Sequence, residues 1–221
     1  MSHPPSEVPM LRLSYNDIHS AIQNTAAKIK KEFGRFVMLQ LKDVVGLTIS
    51  MLSFPAPTLF IAIGGGGFIP ARILRTQLKT DVNGKKRNIP IQAVGLALYE
   101  SMGGLGQNFS HGGLLGRHIL IVDEVDDTRT TLMYTIRELQ SDIEKQLAEV
   151  TDEVERERLR KETTLGIFVV HNKLKPKAGE LPDHVAYFSA VDTPDVWLAY
   201  PWECDGDIDV HDALRSQNPQ V

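Results

Sequence analysis

Ile119-Leu120-Ile121-Val122-Asp123-Glu124-Val125-Asp126-Asp127-Thr128-Arg129-Thr130-Thr131 decides the reading of this chain of 221 residues. Four consecutive aliphatics read as a strand buried on both faces, which belongs in a parallel sheet covered by helices. Two adjacent carboxylates follow at its carboxyl end. A third acid and a hydroxyl-rich turn then lead into a segment with helical periodicity. In open α/β sheets ligands bind beyond the strand carboxyl ends. A helix N-terminus offers free N–H groups and a positive dipole end, so it suits a phosphate. Thr128, Thr130 and Thr131 add hydroxyl donors. Carboxylates repel a bare phosphate, so Asp123 and Glu124 must face sugar hydroxyls or Mg²⁺. Capping and dipole compensation explain one or two of these residues, but not the acid pair, spacing and strand context together.

The neighbouring segments fit the same architecture. Leu59–Ile63 is a short apolar run between prolines and four glycines, and so a second buried strand. Ile91–Leu98, Leu165–Val170, Tyr187–Val191 and Trp197–Ala199 supply further strands. Tyr15–Phe33 is predicted to be an amphipathic helix capped by Ser14 and stopped by Gly34. Pro70–Lys79 is a second helix, and a third starts near Thr128. Its apolar stripe through Ile136, Leu139, Ile143, Leu147, Val150 and Val154 fits a solvated helix or a helical hairpin. Asp81–Asn88 and Tyr99–Gly116 read as loops. Strands alternating with helices predict an α/β domain with a largely parallel sheet.

Composition narrows the function classes. A hydrophobic content of 42% suffices for one filled core. The formal net charge of -4 gives no footprint for nucleic acid or a membrane surface. A single cysteine, Cys204, cannot form an internal disulfide and fits a reducing, cytoplasmic setting. Met1–Pro9 lacks the pattern of a leader. Phe36–Phe54 is apolar, but Gln40, Lys42 and Asp43 interrupt it. Each charge at a bilayer centre costs roughly 2.5–3.5 kcal/mol, so a spanning role is not expected.

Ile119–Leu132 resembles the phosphoribosyl pyrophosphate (PRPP) signature of type I phosphoribosyltransferases, and the C-terminal third is similar to the fungal xanthine and hypoxanthine-guanine members. The resemblance implies that Asp123 and Glu124 bind the ribose hydroxyls. Asp127, Thr128, Arg129, Thr130 and Thr131 then cradle the 5-phosphate, with Asp127 also the general base near purine N7. Gly64, Gly65 and Gly66 resemble the pyrophosphate loop. Lys173 corresponds to a donor to the purine 6-oxo group, with Lys175 as second choice. Trp197 corresponds to the stacking aromatic, and Leu198 to backbone contacts with the purine edge. Glu203, with Asp123 and Glu124, would hold Mg²⁺. A cation favours a carbonyl over an amino group, which selects oxopurines over adenine, and an indole face suits a flat heterocycle.

The family's fold is a central, mostly parallel sheet flanked by helices, with a small hood lobe from the N- and C-terminal segments. On this chain it predicts a disordered arm over 1–13, the first helix plus an atypical apolar insertion over 14–58, the transferase domain over 59–204 and a tail over 205–221. The expected activity is transfer of phosphoribosyl from PRPP to xanthine, guanine or hypoxanthine by a homodimer or tetramer. A PRPP-binding regulatory homologue without turnover is the alternative.

Two stretches depart from the family pattern. Arg35–Pro57 separates the first helix from the glycine-loop strand, and we expect an unspliced or mispredicted segment there. The glycine-rich Glu100–Gly113 stands where relatives carry a mobile lid. Arg129 stands where many members have glycine, and its guanidinium is available to assist phosphate binding.

Overall fold

In chain order the elements are strand β1 (Met10–Arg12), helix α1 (Tyr15–Val45), β2 (Leu59–Ile63), α2 (Phe68–Gln77), β3 (Lys79–Val82), β4 (Lys85–Asn88), β5 (Ile91–Val94) and β6 (His118–Asp126). They continue with α3 (Thr130–Ala148), α4 (Glu153–Glu162), β7 (Thr164–Lys173), β8 (Val185–Thr193), β9 (Trp197–Ala199) and α5 (Ile208–Ala213). Short 3₁₀ turns cover Pro201–Glu203 and Leu214–Gln217. This computed structural model describes residues 9–45, 56–82, 85–95 and 113–219, with backbone alone for 34–45 and 80–82. The expected lid therefore lies almost wholly outside the described residues.

The five-stranded sheet has the order β5-β2-β6-β7-β8, and every neighbouring pair is parallel. Side-chain alternation divides each strand between two apolar layers. Leu120 and Val122 of β6 join Ile18, Ile22, Phe33 and Leu74 on the α1/α2 side. Ile119 and Ile121 join Ile136, Leu139 and Ile143 of α3 on the other. Burying each of these side chains contributes roughly 1.5–3 kcal/mol. Gly166 in β7 makes room for α1, since a Cβ there would stand 2.6 Å from the Phe33 ring.

The α1 N-terminus follows from its first residues. Ser14 Oγ accepts from Asp17 N–H at 3.1 Å, and Asp17 Oδ2 accepts from Ser14 N–H at 2.8 Å, a reciprocal cap. Gly34 does not end the helix, which runs on to Val45. One interior glycine costs about 1 kcal/mol, which a 31-residue helix tolerates. Residues 35–45 of the supposed insertion are thus helical, while 46–55 lie outside the described residues. The long stripe after Thr128 resolves as two helices, broken after Ala148 and restarted by Asp152, whose carboxylate accepts from Glu155 N–H at 2.8 Å. Asp81–Asn88 is not simply a loop, because β3 and β4 pair as an antiparallel hairpin. Asn83-Gly84 between them is a hairpin turn signal that a reading by polarity passes over.

The chain ends build the hood lobe. Met10–Arg12, assigned to a disordered arm, instead pair in parallel with Trp197–Ala199. The tail also folds back. Asn218 accepts from Arg12 N–H and donates to Arg12 O, both at 2.8 Å, as a third strand would. Arg215 pairs with Asp17 at 2.6 Å. Among the described residues no helix is long and apolar enough to cross a membrane.

One topological feature locates the site. From β2 the chain moves to β5 on one flank, then returns to place β6 on the other flank of β2. That reversal opens a crevice between the carboxyl ends of β2 and β6, where such sheets bind ligands.

Candidate active site

The crevice holds a cavity of about 240 Å³ lined by Ile63, Gly64 and the continuous stretch Asp123–Leu132. The glycine loop after β2 thus faces the acid pair near the end of β6 and the turn that follows it.

Asp123 is buried at 5% exposure and accepts from Glu124 N–H at 3.0 Å. Burial, then the hydrogen bond and charge of Glu124, push its carboxyl well above the usual range. Glu124 Oε2 is buried without a hydrogen-bond partner. Glu203 is displaced upward too, by burial and then by the charge of Glu124. Asp123 and Glu203, both displaced upward beside Glu124, suit hydroxyl donors or a cation as neighbours. Tyr200 holds the backbone here, donating its hydroxyl to Glu124 O at 3.0 Å. Its oxygen then accepts from His171 Nδ1, 2.9 Å away, so that nitrogen carries the proton.

Thr128 and Thr130 share a hydroxyl hydrogen bond of 3.0 Å at the start of α3. Arg129 between them adopts φ 70°, ψ -2°. Glycine is the default in that left-handed region, so a residue with a Cβ here is unusual. The guanidinium, expected to assist a phosphate, points in part to protein partners. Its Nε and Nη2 donate to Asp126 Oδ2 at 3.0 and 2.9 Å, and it lies over the Tyr187 ring.

The glycine loop splits in the same way. Gly64 N–H donates to Val94 O at 2.7 Å, so it is not available to a pyrophosphate, contrary to expectation. No backbone carbonyl among the described residues accepts from Gly65 or Gly66. Gly66 packs against the acid pair, and a Cβ there would stand 1.9 Å from Glu124 Cδ. Gly67 is equally constrained, 2.4 Å from Val122 O by the same construction.

At the other end, Asp127 meets both candidate lysines. Lys175 Nζ lies 3.0 Å from its Oδ1 and 2.9 Å from Asp195 Oδ1. Lys173 Nζ stands farther off, at 3.5 Å from Asp127 and 3.8 Å from Asp195, although its side chain is only 11% exposed. Such lengths are marginal for hydrogen bonds, so Lys173 keeps donors for another acceptor. Burial raises the Asp127 carboxyl, but the close Lys175 ammonium and the charges of both lysines outweigh it and hold Asp127 below the usual range. Trp197 is half-buried at the edge of the hood, while the Leu198 side chain is in the core. Trp197 N–H and Ala199 O bond to the β1 side, so the Leu198 backbone groups turn to the opposite edge.

Sequence reasoning missed Asp126, His171, Lys177, Tyr187 and Tyr200. Their types are ordinary for strands and loops, and the roles appear only when β6, β7 and β8 align. One signal was present, the third carboxylate Asp126 inside a buried strand, which demands a partner.

Comparison with known proteins places this geometry. No family model matches the chain. It is 45% identical to a hypoxanthine-guanine phosphoribosyltransferase of Schizosaccharomyces pombe, across 92% of this chain and 93% of that protein. It is 39% identical to xanthine phosphoribosyltransferase 1 of Saccharomyces cerevisiae, across 95% and 96%. Among solved structures, a hypothetical protein from Neisseria gonorrhoeae with bound ppGpp superposes with a TM-score of 0.58 at 27% identity, covering 97% and 99% of the two chains. A hypoxanthine phosphoribosyltransferase from Trypanosoma cruzi, at 16% identity and TM-score 0.50 over 87% and 85%, shares the fold. With two fungal relatives matched over nearly their whole length, the chain belongs to the purine phosphoribosyltransferase family and has its type I fold.

Proposed function

We propose that this protein transfers the phosphoribosyl group of PRPP to a 6-oxopurine, giving XMP, GMP or IMP and pyrophosphate in purine salvage. The observation that carries the reading is the crevice between β2 and β6, where the acid pair and the threonine turn at the start of α3 line one cavity with Gly64, and Gly66 packs against Glu124. Purine N9 attacks ribose C1 while the C1–O bond to pyrophosphate breaks, and the purine loses a proton. Asp123 and Glu124 orient the ribose hydroxyls. The amides of the turn and the Thr128, Thr130 and Thr131 side chains hold the 5-phosphate. Gly65 and Gly66 N–H groups stabilise charge building on the leaving group.

Asp127 is the proposed general base. Its carboxyl is ionised at neutral pH, and the lysines holding it must yield as purine enters. Lys173, whose donors are poorly used, is the donor to the 6-oxo group, and Lys175 remains with Asp195. Trp197 stacks on the base and the Leu198 backbone meets its edge.

Mg²⁺ fits the donor set as a proposal. Oxygen ligands suit a hard cation, and the orphaned buried Oε2 of Glu124 lacks a partner. Among the described residues no three His, Cys, Asp or Glu side chains converge to hold an ion alone. Asp123, Glu124 and Glu203 would therefore hold it together with substrate oxygens, directly or through water. When bound, the ion would neutralise charge on the pyrophosphate.

The test is a parallel assay with radiolabelled xanthine, guanine, hypoxanthine and adenine, with PRPP and Mg²⁺. Nucleotide is expected from one or more oxopurines. Comparable transfer to adenine, or no transfer to any base, sinks the reading.

A further inference from the structure

We infer that Asp126, Arg129 and Tyr187 are positioning residues that clamp the 5-phosphate loop in its left-handed turn before any ligand arrives. The inference rests on the proposed reading of that loop and deepens it. A residue with a Cβ holds φ 70° only when its surroundings over-determine it. Here they do. The Asp126 side chain is wholly buried, and its Oδ2 accepts two hydrogen bonds from Arg129 and one from the Tyr187 hydroxyl at 2.9 Å. The Tyr187 ring faces the guanidinium at 5.3 Å. A buried charge is thereby paired and satisfied on one oxygen, and Lys177 stands 3.5 Å from the other.

The same assembly aims the backbone. Lys177 Nζ donates to the carbonyls of Asp126 and Asp127 at 2.7 and 3.0 Å, and Ala178 N–H donates to Thr128 O at 2.9 Å. In a trans peptide the following N–H points opposite to the carbonyl. Three carbonyls drawn toward residues 177 and 178 therefore turn the amides of Asp127, Thr128 and Arg129 the other way. Successive N–H groups aimed together form an anion-binding concavity. Asp126 and Tyr187 act through the turn rather than by touching substrate.

A rival role for Arg129, as a direct phosphate ligand, predicts the opposite sign. Freeing the guanidinium from Asp126 would then improve PRPP binding, whereas loss of a clamp weakens it. Tyr187→Phe and Asp126→Asn are the decisive variants. We expect the KM for PRPP to rise about fivefold for Tyr187→Phe and tenfold or more for Asp126→Asn, with KM for hypoxanthine nearly unchanged. Hydrogen exchange at the amides of 127–131 in the ligand-free protein should speed up in step. If Asp126→Asn fails to fold, Tyr187→Phe carries the test alone, since it keeps the ring and removes one hydroxyl. A PRPP KM that is unchanged or lower in folded Tyr187→Phe, or unaltered amide exchange, overturns the clamp. Failure of the functional reading looks different, because the unmutated protein would then show no PRPP turnover at all.

Discussion

The phosphate loop after β6 and the lysine cluster after β7 border one cleft but are held differently. Around Asp126 the carboxylate is wholly buried, and one of its oxygens accepts from both Arg129 and Tyr187 beside a left-handed backbone turn. Around Asp127 and Asp195 both carboxylates are about half exposed and the lysines bridge them at lengths from 2.9 to 3.8 Å. Buried pairs resist loss of a partner, whereas exposed pairs contribute little and exchange readily. In the proposed reading the cleft thus has a rigid end that takes an invariant sugar phosphate. Its other end can trade protein partners for ligand ones.

That contrast can be broken at several points. Asp127→Asn, at the exchangeable end, should lower kcat by about 10²- to 10⁴-fold and leave the thermal midpoint nearly unchanged. Stopped assays and calorimetry on one preparation check both. Near-normal turnover would remove Asp127 from the chemistry.

His171 tests the rigid side through pH. Burial lowers its pKa to about 4, against an ordinary value of 6.5. Between these values the unfolded chain binds the proton and the folded one does not. Stability from this group is therefore complete above pH 6.5 and is lost as pH falls toward 4, by about 3 kcal/mol in total. Denaturant titrations should show a flatter pH slope for His171→Gln than for the unmutated protein. Equal slopes would mean that the imidazole is already charged in the fold.

Lys173→Met sharpens the distinction between the two lysines. It should raise the KM for hypoxanthine by about 10- to 100-fold, as for a lost charged hydrogen bond, with little change in the KM for PRPP. Lys175→Gln should act less on the base KM. It should instead move the acid limb of kcat/KM to higher pH, because Asp127 loses the contact that holds its carboxyl down. Equal base KM changes in the two variants would erase their separate roles.

The smallest effect is expected at Asn218. Replacing it by alanine removes two hydrogen bonds to Arg12 and should cost about 1–3 kcal/mol, seen as a lower thermal midpoint. A rise in base KM without a rise in PRPP KM would tie the folded tail to the base end alone.

The sheet was readable from the chain because a strand buried on both faces leaves an uninterrupted apolar run, as in Leu59–Ile63 and Ile119–Val122. The acid pair and threonine turn were readable because their types make sense only together. The protein partners of the Arg129 side chain, Asp126 and Tyr187, were not legible because they are three and fifty-eight residues away. A phosphate loop seen in isolation offers no other use for a cation. Gly64 was misassigned for a related reason, since its N–H completes the ladder to β5, which depends on register. Within the expected hood, the pairing of Met10–Arg12 with Trp197–Ala199 escaped notice because a three-residue strand has no periodicity to detect, and Asn218 reads as an ordinary terminal amide.

The parallel pairing of Met10–Arg12 with Trp197–Ala199 also bears on how the protein is made. The first strand cannot find its mate until some 185 further residues have been translated, roughly 10–40 seconds at ordinary elongation rates. Meanwhile the sheet and its phosphate turn can assemble around β6 and β7. A nascent chain stalled before Trp197 would carry an ordered β6 turn beside an unfinished hood, with an unpaired N-terminal strand open to chaperones or to another copy.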